Sequence, residues 1–143
     1  MPMIDVYAPA DTFPPGSDRA LGEQLTRAVL RAEGVQQPTP FHLENTAAFI
    51  HFLPSSRIQT AASENARVVR VQILTPPSAL SRDGQKQLVR DVTETVAKIA
   101  GDPTLTHRTW VLLVEAAPGG WGIAGTAFGK EEFIALAQGT LKL

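Results

Sequence analysis

Apolar and polar positions along the chain run through the same order twice. Pro2-Met3-Ile4-Asp5-Val6-Tyr7 is rich in β-formers and leads into Ala8-Pro9, where a proline ends a ladder, so this segment predicts a short strand. Turn-forming residues fill Asp11 to Gly16. Ser17 or Asp18 then caps a helix with Leu21, Leu25, Ala28, Val29 and Ala32 on one face and Gly34 as its stop. Ala47 to Leu53 predicts a second strand, halted by Pro54.

The order returns from Val68 to Leu74, a partly alternating strand that halts at Pro76-Pro77. Ser81 caps a second helix whose stripe is Leu88, Val92, Val96 and Ile99, closed by Gly101-Asp102-Pro103. Trp110 to Glu115 predicts a fourth strand. A glycine-rich run from Gly119 to Gly125 follows, and a short helix from Glu131 to Ala137 closes the chain.

Two consecutive βαβ units, 1–64 and 65–143, thus make one domain. Right-handed crossovers make each strand pair parallel and put both helices on one sheet face. The expected architecture is a two-layer α/β (α+β) sandwich. Its other sheet face is left bare, with Val69, Val71 and Ile73 as its expected apolar residues, which predicts oligomerisation through that face.

Composition narrows the function. Of the 143 residues, 43% are hydrophobic and 19% charged, with a net charge of -1, as in a soluble globular protein with no broad field for nucleic acid or anionic lipid. Cysteine is absent, which excludes disulfides, thiolate metal sites and cysteine nucleophiles. No apolar run reaches about 18 residues, so no membrane span is indicated and a cytoplasmic location is expected. There is no phosphate loop and no GxSxG elbow, and His42, His51 and His107 are scattered rather than set at metal spacing. Among apolar neighbours Phe49, Ile50, Phe52 and Leu53, His51 reads as a structural histidine. Arg70 alternates with Val69, Val71 and Ile73 and reads as one partner of a solvated or interfacial ion pair.

Pro2 carries the most specific chemistry. Removal of Met1 exposes a secondary amine, the only one a protein terminus can offer, at the start of a strand. A terminal amine titrates near 8, and burial in an apolar pocket lowers that value by disfavouring the ammonium form. A neutral amine near pH 7 is a usable general base. If Met1 is retained, the Pro2 nitrogen is an amide and cannot serve.

The strand opening with proline, the repeated βαβ unit and Gly120-Trp121-Gly122-Ile123-Ala124-Gly125 resemble the tautomerase superfamily, in the manner of its longer members with two fused units. Gln85-Lys86 and Leu88-Val89-Arg90-Asp91-Val92 are similar to the family's helix. The resemblance implies a tautomerase-like fold, a homotrimer, no cofactor and no metal. Its implied activity is a proline-dependent isomerase that moves a proton between keto and enol forms of a small carbonyl acid. Pro2 is then the general base and acid, and Trp121 an apolar wall that keeps it dry.

The sequence also departs from the family. Members hold a substrate carboxylate with arginines, yet the loop from Ala8 to Gly16 contains none. The strand position falls on Trp110, leaving Arg108 two residues earlier and Arg82 in the first turn of the second helix as substrate-binding candidates. Asn45 stands where the family's decarboxylase has an acidic residue and can orient a carbonyl without acting as a base. The dehalogenase histidine's place falls near Val29 or Leu30, and Trp121-Gly122 replaces its glutamate segment. Dehalogenation, hydration or decarboxylation is the alternative activity, which the missing arginines argue against, and a catalytically silent trimeric binding module is the alternative class.

Overall fold

A computed structural model describes residues 1–143. Strands β1 (Met3–Pro9), β2 (Ala47–Leu53), β3 (Val69–Thr75) and β4 (Thr109–Glu115) form one sheet in the order β2-β1-β3-β4. The outer pairs are parallel, as the crossovers require, and the central pair β1–β3 is antiparallel. The β3 ladder on β1 stops at Tyr7 while the β2 ladder continues to Pro9, so the proline sits where only one neighbour pairs the strand.

Helices α1 (Ser17–Ala32) and α3 (Arg82–Ala100) cover one face. Ser81 caps α3 as expected, its Oγ accepting from the Gly84 N–H at 3.0 Å, and Gly101 ends the helix in the left-handed region at φ 67°. The N-cap of α1 is instead Gly16, and buried Ser17 donates its hydroxyl to the Pro14 carbonyl at 2.6 Å. Leu21, Leu25, Ala28 and Val29 of α1 and Leu88, Val92 and Val96 of α3 meet Ile4, Val6 and Ala8 in one core. Each fully buried branched aliphatic there contributes about 1.5–3 kcal/mol of transfer free energy.

Val69, Val71 and Ile73 belong to this core and are inaccessible to solvent, which corrects their assignment to the bare face. Alternation separates two faces of a strand without saying which one the helices cover. The open face carries Arg70, Gln72 and Leu74 of β3 instead, with exposed Phe49 on β2 and exposed Trp110, Leu112 and Val114 on β4. Towards its middle His51 contacts Asp5 at 2.9 Å and stacks on Tyr7 with centroids 4.3 Å apart. Arg70 lies 4.9 Å from the centroid of the same Tyr7 ring.

Beyond β4, the glycine-rich run forms a hairpin, β5 (Trp121–Ile123) and β6 (Thr126–Phe128), and α4 (Lys130–Ala137) follows it. A short helix absent from the sequence reading, α2 (Pro40–Glu44), precedes β2.

Candidate active site

The site is built where four chain segments meet at the amino-terminal end of β1. Because α1 runs antiparallel to β1, its last turn returns to the level of Pro2. Because β3 runs antiparallel to β1, the loop after β3 ends there as well. A cavity of about 530 Å³ occupies this meeting point, lined among others by Met1, Glu33, His42, Pro76 and Phe133. Pro2 is buried and accepts a hydrogen bond on its carbonyl from the Ala47 N–H at 3.2 Å, which fixes the start of the strand. Met1, not Pro2, forms part of the cavity wall, and Met1 joins Trp121 and Phe128 in a separate buried cluster.

The charged groups on the wall are few. The Met1 amine lies 3.4 Å from Glu33 Oε2, and the two side chains are only 5% and 6% exposed. Burial pushes the amine down from its ordinary value and the Glu33 carboxyl up, and the attraction between the two opposes both shifts. Glu33 Oε1 is buried without a hydrogen-bond partner. His42 Nδ1 accepts from the Thr39 N–H at 3.2 Å, so the neutral ring carries its proton on Nε2. Burial, and then the charge of the amino terminus, pushes His42 down. Neither arginine nor lysine lines the cavity.

Of the sequence candidates, Trp121 is brought to the amino terminus and is buried. Asn45 follows α2 close by, with its amide donating to the Phe41 carbonyl at 2.9 Å. Arg82 is exposed at the start of α3, just past the cavity-lining loop residues Pro76, Pro77 and Ala79, and donates to Gln85 at 3.2 Å. Arg108 lies at the other end of the sheet, before β4, where it pairs with Asp102 at 2.8 Å and donates to the Arg67 carbonyl. Hydrogen bonds from Thr104, then the Arg108 charge, hold Asp102 below the usual carboxylate range. Within one chain, then, Trp121 packs on Met1, the residue before Pro2, and Arg108 stands at the other end of the sheet. The sequence reading did not single out Glu33, and it left His42 without a role.

The family model for tautomerase enzymes matches residues 68–131, the span from β3 through the hairpin. No curated protein matches the chain. Among solved structures, a fused 4-OT described as a wild-type symmetric trimer aligns at 17% identity over 87% of this chain and 93% of its own, with a TM-score of 0.72. N1, a member of the cis-3-chloroacrylic acid dehalogenase family, aligns at 18% identity over 98% of this chain and 92% of its own, with a TM-score of 0.73. A macrophage migration inhibitory factor-like protein from Entamoeba histolytica aligns at 13% identity, covering 89% of this chain and 98% of its own, with a TM-score of 0.68. The chain has the tautomerase fold in its two-unit form, and its second unit matches the tautomerase family model.

Proposed function

We propose that the chain is a cofactor-independent tautomerase in which Pro2, freed of Met1, moves a proton between carbon and oxygen of a small carbonyl compound. The observation that carries this reading is that Pro2 is buried and directly follows Met1, whose side chain lines an apolar cavity and packs in the Trp121–Phe128 cluster. Loss of Met1 removes its side chain from that cluster and leaves the Pro2 nitrogen as a secondary amine facing the vacated space. Desolvation there favours the neutral amine. Its lone pair takes the proton from the carbon next to the carbonyl, the C–H electrons move to make the enolate, and the ammonium returns the proton to the enolate oxygen. The reverse sequence ketonises an enol, so one group serves as base and acid.

We further propose a homotrimer, closed through the open sheet face that exposes Phe49, Trp110, Leu112 and Val114. The fused 4-OT structures described as trimers support this reading. The test is the intact mass of untagged protein combined with ketonisation of an enol by wild type and Pro2→Ala. Loss of Met1 with at least a hundred-fold loss of rate in Pro2→Ala supports the mechanism. Retained Met1 with equal rates in both proteins overturns it and leaves a binding module on the same fold.

A further inference from the structure

We propose that Glu33 is a substrate-binding residue of this cavity and that it selects an uncharged hydroxyketone over a carbonyl acid. This rests on the tautomerase reading and narrows its substrate class. The Glu33 side chain is 6% exposed, it lines the cavity, and its Oε1 has no donor. A buried carboxyl oxygen left without a partner is costly, so the site is completed by a ligand that brings one. When Met1 is removed its amine goes too, and Oε2 loses its 3.4 Å partner. Both oxygens are then available to a substrate O–H, which donates while the carboxyl accepts.

Charge points the same way. No arginine or lysine of this chain lies on the wall and the proposed Pro2 base is neutral, so a substrate carboxylate entering here meets Glu33 in a space that screens it poorly. A hydroxyl in that place is attracted instead. His42 adds a donor without adding a charge, because its Nδ1 is taken by the Thr39 N–H and its remaining proton is on Nε2. The apolar walls, among them Val35, Phe41, Phe133 and Leu136, leave room for an aryl or alkyl body.

A matched pair of ketones tests this: phenylpyruvate and 1-hydroxy-3-phenylpropan-2-one, which differ only in carboxylate against hydroxymethyl. Exchange of the benzylic protons for deuterium is followed by NMR with the protein lacking Met1. The wild type is expected to favour the hydroxyketone at least ten-fold in kcat/KM. Glu33→Gln should narrow that ratio at least five-fold by improving phenylpyruvate, and Glu33→Asp should keep its direction. A wild type that prefers phenylpyruvate, or a ratio that Glu33→Gln leaves unchanged, overturns the proposal, and the wild-type ratio decides even where a variant does not fold. If neither ketone exchanges, or if Pro2→Ala exchanges as fast as wild type, the tautomerase reading fails separately. Calorimetric binding of the same pair then decides the role of Glu33. Tighter, Glu33-dependent binding of the hydroxyketone upholds it, and equal or reversed affinities overturn it.

Discussion

The amine of Met1 and the carboxyl of Glu33 face each other at 3.4 Å with almost no exposure to water, joining the start of β1 to the end of α1. Burial drives both groups toward their neutral forms, which makes the folded chain bearing Met1 sensitive to pH in two windows of opposite sign. Glu33 is raised above 4.5, so its contribution to stability is full below that value and is lost as the pH climbs to its folded value. The amine is lowered below 8.0, so stability returns as the pH rises from its folded value toward 8.0. Glu33→Gln removes the first window and keeps the second. Urea midpoints across the pH range should therefore fall and recover in the wild type and only rise in Glu33→Gln. A parallel pair of profiles would contradict the shifts.

Trp121 is 6% exposed in the cluster with Met1 and Phe128, and its ring lies edge-on to Phe133 with centroids 6.4 Å apart. Trp121→Ala empties that space and should cost about 3–5 kcal/mol. Trp121→Phe keeps most of the apolar contact and is expected to cost about 1–2 kcal/mol. Chemical denaturation of the two variants checks the difference. If the ring is also the dry wall for Pro2, the bell-shaped rate profile of Trp121→Ala shifts its amine limb to higher pH.

How much of this was legible in the sequence differs from residue to residue. The helix ends were readable because Ser81, Gly34 and Gly101 act locally, through a cap hydrogen bond or a left-handed φ that a single residue type favours. The sidedness of β3 was not, because Val69 alternates with Arg70 on any sheet and only the crossover helices decide which of them is covered. In β4 the open face holds Trp110 and Leu112 while Val111 and Leu113 pack on the core, so both faces are apolar and alternation carries no signal. Glu33 was within reach: a strand followed by an antiparallel helix brings the last residue of that helix back to the first residue of the strand. His42 was not, since its place depends on α2, a single turn that no periodicity announces.

Leu112 stands on the open face midway along the edge strand β4, 45% exposed in the single chain and paired in register with Gln72. Leu112→Glu places a charge in the proposed trimer contact without touching the helix-side core. Light scattering should then shift from a trimer to the 15.4 kDa of one chain, with far-UV circular dichroism unchanged. A variant that remains trimeric would place the contact elsewhere.

Two helices approach closely beside the cavity, and Gly84 is the reason they can. A Cβ at this position would stand 2.8 Å from the Ala32 carbonyl oxygen, one residue before Glu33. Gly84→Ala must therefore push the last turn of α1 away, at a cost of about 1–3 kcal/mol despite the better helix propensity of alanine. The displaced turn carries Glu33 with it, so the stability loss should come with a weakened Glu33 window in the pH profile.

The hairpin that carries Trp121 turns through Ala124 and Gly125, with φ of 50° and 78°. Both central residues lie in the left-handed region that a two-residue turn of this hand requires, and glycine meets that demand freely where alanine does not. Holding alanine there costs about 1 kcal/mol. The gain on Ala124→Gly is partly offset, because glycine also loosens the unfolded chain. The net effect expected is a stabilisation of about 0.5 kcal/mol, or a rise in Tm of about 1–2 °C. A matched variant at the neighbouring position separates turn geometry from a general effect of composition: Gly125→Ala puts a second alanine in the same region and should lower Tm. If both variants move Tm in the same direction, the strain at Ala124 is not what limits the hairpin.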